Sequence, residues 1–191
     1  VGRGEKIPPI PAEDPLAPYR HHLEGLKVAL HLAEKYDMWI IPSGDDVVGR
    51  RIDFFYQSGD GGIEGYFNSL KTLWLYIAEN FGKHPRLLAY DLLNEFYLNT
   101  CVPELMREIR KIDGNTYFVV EPPPFALPAG FEEMPVYEDS KTVYSPHWYF
   151  PHMYTHQGLG SYPRPLTYPG WLRNFPDSPE EYWDKEKMRE Y

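Results

Sequence analysis

Between Leu87 and Asn99 the chain reads LLAYDLLNEFYLN, an apolar run that breaks into an amide and a carboxylate, Asn94 and Glu95, before aromatic residues resume. An unbroken apolar run of this kind fits a strand covered on both faces, as in a parallel sheet. A polar pair at the tip of such a strand either starts a turn, where Asn is a good helix N-cap, or presents chemistry. The flanking segments decide between the two.

On the N-terminal side, YFNSLKTLWLYIAENFG (Tyr66 to Gly82) places Leu70, Leu73, Trp74 and Ile77 at helical spacing and closes on Gly82, a helix terminator. Further upstream, Pro18 to Tyr36 carries Leu23, Leu26, Leu30 and Ala33 on one face, with Glu24, Lys27, Glu34 and Lys35 off it. This second helix leads into Met38 to Ile41, a short apolar run closed by Pro42 and Gly44 and predicted to be a strand apolar on both faces. Downstream, VPELMREIRKIDG (Val102 to Gly114) predicts a helix through Leu105, Ile109 and Ile112, followed by strands over Tyr117 to Val120 and Thr142 to Ser145. Ser178, Pro179, Glu180 and Glu181 have the order of an N-cap, a first-turn proline and an acidic first turn, which predicts a C-terminal helix reaching Tyr191 without a terminator.

Strands alternating with helices or long loops specify βα repetition and a parallel sheet, hence an α/β fold. Polar or aromatic groups follow each predicted strand: Asp45 and Asp46, Asn94 and Glu95, Glu121, then His147 and Tyr149. Ligand sites of parallel α/β folds lie at that end of the strands. The repetition favours chemistry over capping for Asn94 and Glu95.

Composition narrows the partners. A formal charge of −9 with no Lys/Arg stripe argues against nucleic acid. No apolar run reaches the roughly 20 residues of a membrane span, and VGRGEKIPPIPAEDP at the start lacks the apolar centre of a signal peptide. Aromatic residues make up 16% of the chain and accompany 20 prolines, so proline-punctuated aromatic loops can offer faces to flat, weakly polar ligands such as sugars, beside those that fill the core. The lone Cys101 forbids an internal disulfide and reads as a small core residue. SGDGG, Ser58 to Gly62, is a turn that lacks the lysine of a phosphate loop. At 191 residues the chain fits a single domain over residues 1–191, and because an eight-stranded barrel takes about 250 residues, that domain is expected to be a piece of a longer catalytic unit.

The stretch LLAYDLLNEF resembles the strand that carries the Asn-Glu pair of glycoside hydrolase family five, the cellulase family built on (β/α)8 barrels. TVYSPHWYFPHMYTHQG, Thr142 to Gly158, resembles a later strand and loop of that family, where a His and a Tyr two residues apart precede a Pro and a Thr-His-Gln-Gly run. The resemblance extends from Pro18 to the end and implies an α/β fold that is a partial (β/α) barrel, about strands three to six of a TIM-type barrel. It implies retaining hydrolysis of β-linked glucans, with Glu95 as general acid/base and Asn94 on the sugar 2-hydroxyl. His147 and Tyr149 would hold nucleophile and sugar, and Trp148 would contact substrate. Secretion, a glucan partner, and no requirement for cofactor, metal, nucleic acid or membrane follow from the same resemblance.

Cleaving an acetal takes two carboxyl groups, one giving a proton and one facing the oxocarbenium-like carbon. The family's nucleophile, a Glu ending the seventh strand, lies beyond this chain, which leaves Glu121 as the candidate secondary carboxylate. Gly44 stands near the place of a family His, and the family's Arg and late Trp also fall outside the chain. The isolated chain is therefore expected to hydrolyse poorly or not at all for lack of the nucleophile, and a catalytically inactive sugar-binding scaffold is the alternative. The open edges of a partial barrel invite a homo-oligomer that completes or covers it. His147, His152 and His156 raise zinc as a third reading beside loop hydrogen bonding, and Trp148, Tyr154, Tyr168 and Trp171 are expected on loops, stacking on sugar or packing under the loop itself.

Overall fold

The computed structural model describes residues 14–44, 62–160, 162 and 164–190. Asp45, Asp46 and most of the SGDGG turn lie outside the described residues, so the readings placed on them go no further. The chain divides into two compact units, Val1–Pro146 and His147–Tyr191.

In the first unit, helix α1 (Arg20–Tyr36) forms where the spacing predicts it. Leu23, Leu30 and Ala33 are buried and Glu24, Lys27, Glu34 and Lys35 are exposed. It ends at Asp37 in the left-handed region, φ 55°, whose amide donates to the Ala33 carbonyl; a short polar side chain tolerates that conformation better than most. Helix α2 (Gly62–Phe81) buries Leu70, Leu73, Trp74 and Ile77. Gly82 terminates it as expected, and a Cβ there would stand only 2.6 Å from the Ala78 carbonyl oxygen. Helix α3 (Val102–Arg110) buries Val102, Leu105, Met106 and Ile109.

Strands β1 (Ala89–Asp91), β2 (Tyr117–Val120) and β3 (Thr142–Tyr144) form a parallel sheet in that order. The register pairs Tyr90 with Phe118 and Phe118 with Thr142. Tyr90, Leu92, Phe118 and Val120 join Trp74 and Ile109 in one core cluster, where each fully buried side chain of leucine size contributes about 1.5–3 kcal/mol. The alternate positions Asp91, Val119 and Val143 are half-buried or exposed. The expectation of strands covered on both faces holds at the start of β1, where Ala89 and Tyr90 on opposite faces are both buried, and fails in β2 and β3, where Val119 is half-buried and Val143 exposed. Cys101 packs against the core, and burial, with the Glu104 carboxylate adding to it, pushes its thiol up to about 12.

The predicted strand at Met38 to Ile41 is reduced to two isolated parallel bridges, Ile40 to Leu87 and Ser43 to Asp91. The Ile40 amide donates to the Arg86 carbonyl and the Leu88 amide to the Ile40 carbonyl, both at 2.9 Å. Met38, Trp39 and Ile41 remain 53%, 56% and 47% exposed. The segment is an edge, paired on one side only among the described residues, so its apolar side chains lack the cover that the sequence pattern led us to expect.

In the second unit, the helix predicted from Ser178 onward is instead strand β5 (Glu180–Trp183), antiparallel to β4 (Gly170–Arg173), followed by a single short turn of helix over Lys187–Arg189. The Ser178 hydroxyl oxygen accepts the Phe175 amide at 3.1 Å and closes the connection between the strands rather than capping a helix. Cross-strand pairing outweighs the local capping signal because it buries Leu172 and Trp183, 2% and 0% exposed, on one face of the hairpin. Trp171 thus lies on a strand, and Tyr154 on the short helix α4 (His152–Thr155), not on loops. No helix among the described residues is long and apolar enough to cross a membrane.

Candidate active site

Asn94 and Glu95 follow β1 at the C-terminal end of the parallel sheet and are half-buried there. The edge segment holds the main chain leading to them. The Gly44 amide donates to the Asp91 carbonyl at 2.7 Å, and the Asn94 amide donates to the Gly44 carbonyl at 3.2 Å. A Cβ on Gly44 would lie 2.4 Å from the Leu92 carbonyl oxygen and 3.2 Å from the Trp74 ring, so this position has no room for a side chain. The Trp74 indole N–H donates to that same Leu92 carbonyl at 3.2 Å, which ties the strand tip to α2.

Glu95 itself is left-handed, φ 47°. A residue with a Cβ rarely adopts this conformation unless its surroundings impose it. The imposing contact comes from the next strand: the Glu95 amide donates to Oε2 of Glu121 at 2.6 Å. Glu121 stands directly after β2 and is 7% exposed. Below it the Phe125 amide donates to the Phe96 carbonyl at 3.1 Å, the Tyr97 and Phe125 rings meet edge to face, and Phe125 and Ala126 are themselves left-handed. Phe96 stacks on Tyr66 of α2 with ring centroids 5.1 Å apart. The stretch after Glu95 is thus clamped from α2 and from the loop after β2.

The second unit holds the other candidate residues. The Tyr149 hydroxyl lies 3.5 Å from Nδ1 of His147, and its ring meets His156 edge to face at 5.2 Å. Trp148 packs edge to face on Phe150. His152 and His156 stack face to face with centroids 3.9 Å apart, with the Tyr162 hydroxyl 3.4 Å from Nδ1 of His152 and the Thr155 hydroxyl 3.0 Å from Nδ1 of His156. These contacts tie α4 to the residues that follow it, and among the described residues no three His, Cys, Asp or Glu side chains gather in a group that could hold a metal ion.

Sequence reasoning placed Glu95 and Glu121 at neighbouring strand tips but did not foresee the bond between them, nor the reason for Gly44. The only sequence signal for either was the position of Glu121 straight after a strand and of Gly44 straight after an apolar run.

The family model described as Cellulase (glycosyl hydrolase family 5) matches residues 33–190. Endoglucanase C of Acetivibrio thermocellus is 23% identical over 176 residues, which cover 85% of this chain and 51% of that protein. A solved endoglucanase superposes with a TM-score of 0.64 at 21% identity, over 77% of this chain and 48% of its own. Cel5A of Thermotoga maritima, solved in complex with cellobiose, superposes with a TM-score of 0.62 at 18% identity, over 74% of this chain and 46% of its own. The chain spans about half the length of the curated relatives it matches, and its fold is that of a partial (β/α) barrel. With its parallel strands, its polar residues at their C-terminal tips and a family match over most of its length, the chain belongs to the cellulase family, glycosyl hydrolase family 5.

Proposed function

We propose that this chain forms one portion of a (β/α)8 catalytic domain that hydrolyses β-linked glucans by a retaining mechanism. Glu95 protonates the glycosidic oxygen as a carboxylate nucleophile attacks the anomeric carbon; the resulting carboxylate of Glu95 then takes a proton from the water that releases the sugar. Asn94 holds the sugar 2-hydroxyl, and His147, Tyr149 and Trp148 orient sugar and nucleophile. No cofactor takes part in these steps. The observation that carries the reading is the Asn94–Glu95 pair at the C-terminal tip of a parallel strand in a chain of this family.

A second reading, a scaffold that binds sugar without cleaving it, has one observation in its favour. Glu121, at the strand tip beside Glu95, has a carboxylate oxygen bound to the Glu95 amide, a task other than attack on a sugar. Under this reading no nucleophile reaches the sugar; under the first, the nucleophile is supplied from outside the described residues or by a second copy. The edges at Met38–Ile41 and β3, with Val143 46% exposed, favour self-association, which sedimentation of the purified chain measures; a monomer at all concentrations sinks that part.

The test is turnover of an aryl β-cellobioside by the chain and its Glu95→Gln variant, with binding of cello-oligosaccharides followed in parallel. Turnover that falls by about 1,000-fold in the variant with binding retained supports the acid/base role. Turnover that survives the substitution sinks it, and binding without turnover in both proteins means that this portion holds sugar but cannot attack it.

A further inference from the structure

We infer that Glu121 is a positioning residue: its buried carboxylate fixes the left-handed main chain of Glu95 and thereby the direction in which the Glu95 side chain leaves the sheet. The inference rests on the reading of Glu95 as the acid/base, and it gives Glu121 a task other than attack on the sugar.

Three observations support it. The first is strain, because a side-chain-bearing residue at φ 47° is disfavoured against the right-handed conformation by the approach of its Cβ to the following carbonyl oxygen. Such a conformation persists when neighbouring contacts over-determine it. The second is the contact itself. An amide donating to a carboxylate makes a charge-assisted bond, short and roughly twice as strong as a neutral one, and the 2.6 Å separation from Glu95 N to Glu121 Oε2 is of that kind. The third is burial. Glu121 is 7% exposed and stands straight after β2, which is held in register between β1 and β3, so its carboxylate has a fixed address. The neighbouring amides are already committed elsewhere: Asn94 to the Gly44 carbonyl, and Phe125 to the Phe96 carbonyl. Glu121 contributes a contact made directly to the backbone of Glu95 itself. A proton donor aimed by its own backbone must have that backbone held, since misplacement by about 1 Å costs on the order of 100-fold in rate.

Two substitutions in the full chain test this. Glu121→Gln keeps a side-chain oxygen that can accept the amide, whereas Glu121→Leu keeps the bulk and removes the acceptor. Amide hydrogen exchange at Glu95, read by NMR, reports the bond without any need for turnover, and circular dichroism shows that each variant is folded. Glu121→Leu is expected to speed exchange at Glu95 by at least about 10-fold and, where a completed catalytic unit turns over an aryl β-cellobioside, to lower kcat by about 100-fold with KM changed less than about twofold. Glu121→Gln is expected to restore both to within about fivefold of the wild type.

Unchanged exchange at Glu95 in Glu121→Leu overturns the inference. So does a Glu121→Gln variant that keeps slow exchange yet loses turnover as completely as Glu121→Leu, because Glu121 would then be a reacting carboxylate. If Glu121→Leu does not fold, the Gln variant decides through the same pair of readouts. Turnover that survives Glu95→Gln removes the acid/base reading alone, and slow exchange at Glu95 that depends on Glu121 still stands.

Discussion

The two ends of the parallel sheet are built on opposite plans. At the N-terminal end, Asp113 accepts the Tyr90 hydroxyl at 2.7 Å, the Thr116 hydroxyl, and the amides of Asn115 and Thr116. Arg110 grips both carboxylate oxygens of Asp139, donates to the carbonyls of Asp113 and Thr116, and lies over the Phe118 ring with its guanidinium carbon 3.9 Å from the centroid. The Asp113 and Asp139 carboxylates and the Arg110 guanidinium are all used within the protein. A cavity of about 410 Å³ opens at this end, lined by His84, Asp113, Asn115 and Thr116 among others; we place no chemistry in it, since the Asp113 carboxylate is spent on its own hydrogen bonds. At the C-terminal end, Glu95, Phe125 and Ala126 are left-handed, and a buried carboxylate is spent on a backbone amide. One end holds the strands together, and the other holds Glu95 in a left-handed conformation, a division that agrees with the proposed placing of chemistry at the C-terminal end of the strands.

That contrast breaks if substitutions at the two ends have the same consequences. The largest effect expected is at the top: Glu95→Gly removes the carboxyl and relieves the left-handed strain, so turnover falls by about 1,000-fold while the urea midpoint holds or rises. A variant that loses stability along with activity would show that the strain reading of φ 47° is wrong. Next is Asp113→Ala, which leaves the buried Tyr90 hydroxyl and two amides without their acceptor and is expected to cost about 3 kcal/mol in urea unfolding, with kcat preserved in the molecules that remain folded. Arg110→Met keeps some of the contact with Phe118 but drops its hydrogen bonds, for an expected loss of about 2 kcal/mol.

The smallest effect is in pH. Burial pushes the Asp113 carboxyl up, but the bonds from Thr116, Tyr90 and the two amides outweigh it and leave the group below the ordinary range. Asp139 is held below that range by the Arg110 guanidinium beside it. Both carboxyls therefore bind a proton less readily folded than unfolded. Their stabilisation is present above the unfolded value of about 3.9 and is lost as pH falls through it towards the folded values. Asp139→Asn should flatten the fall of the urea midpoint below about pH 4, and an acid limb as steep as that of the wild type would remove Asp139 from this account.

The pattern of the sequence reached far into the first unit. Leu23, Leu30 and Ala33 on α1, Leu70, Leu73, Trp74 and Ile77 on α2, and Leu105 and Ile109 on α3 are buried where helical spacing puts them. The strand at Tyr117–Val120 matches to the residue, and the polar positions of Asn94, Glu95 and Glu121 at strand tips could be read from where apolar runs stop. These features are legible because they are periodic and local. Asp113 was legible in part: the run Asp-Gly-Asn-Thr from Asp113 to Thr116 carries the signal of a side chain folding back on the following amides, but its bond to Tyr90, 23 residues away, carries none.

What the sequence by itself determined, then, is the alternation of helices and parallel strands in the first unit, the buried faces of those helices, and which polar residues end the strands, because each depends on neighbours within a few positions along the chain. The tertiary structure alone decided the rest. It made Glu180–Trp183 a strand, since the gain from burying Trp183 against a partner strand exceeds what a local N-cap supplies. It left Met38, Trp39 and Ile41 exposed, since an edge has no second neighbour among the described residues. It also required glycine at position 44 and bound Glu121 to the amide of Glu95. All of these depend on which residue arrives from a distant part of the chain, and a local pattern carries no record of that.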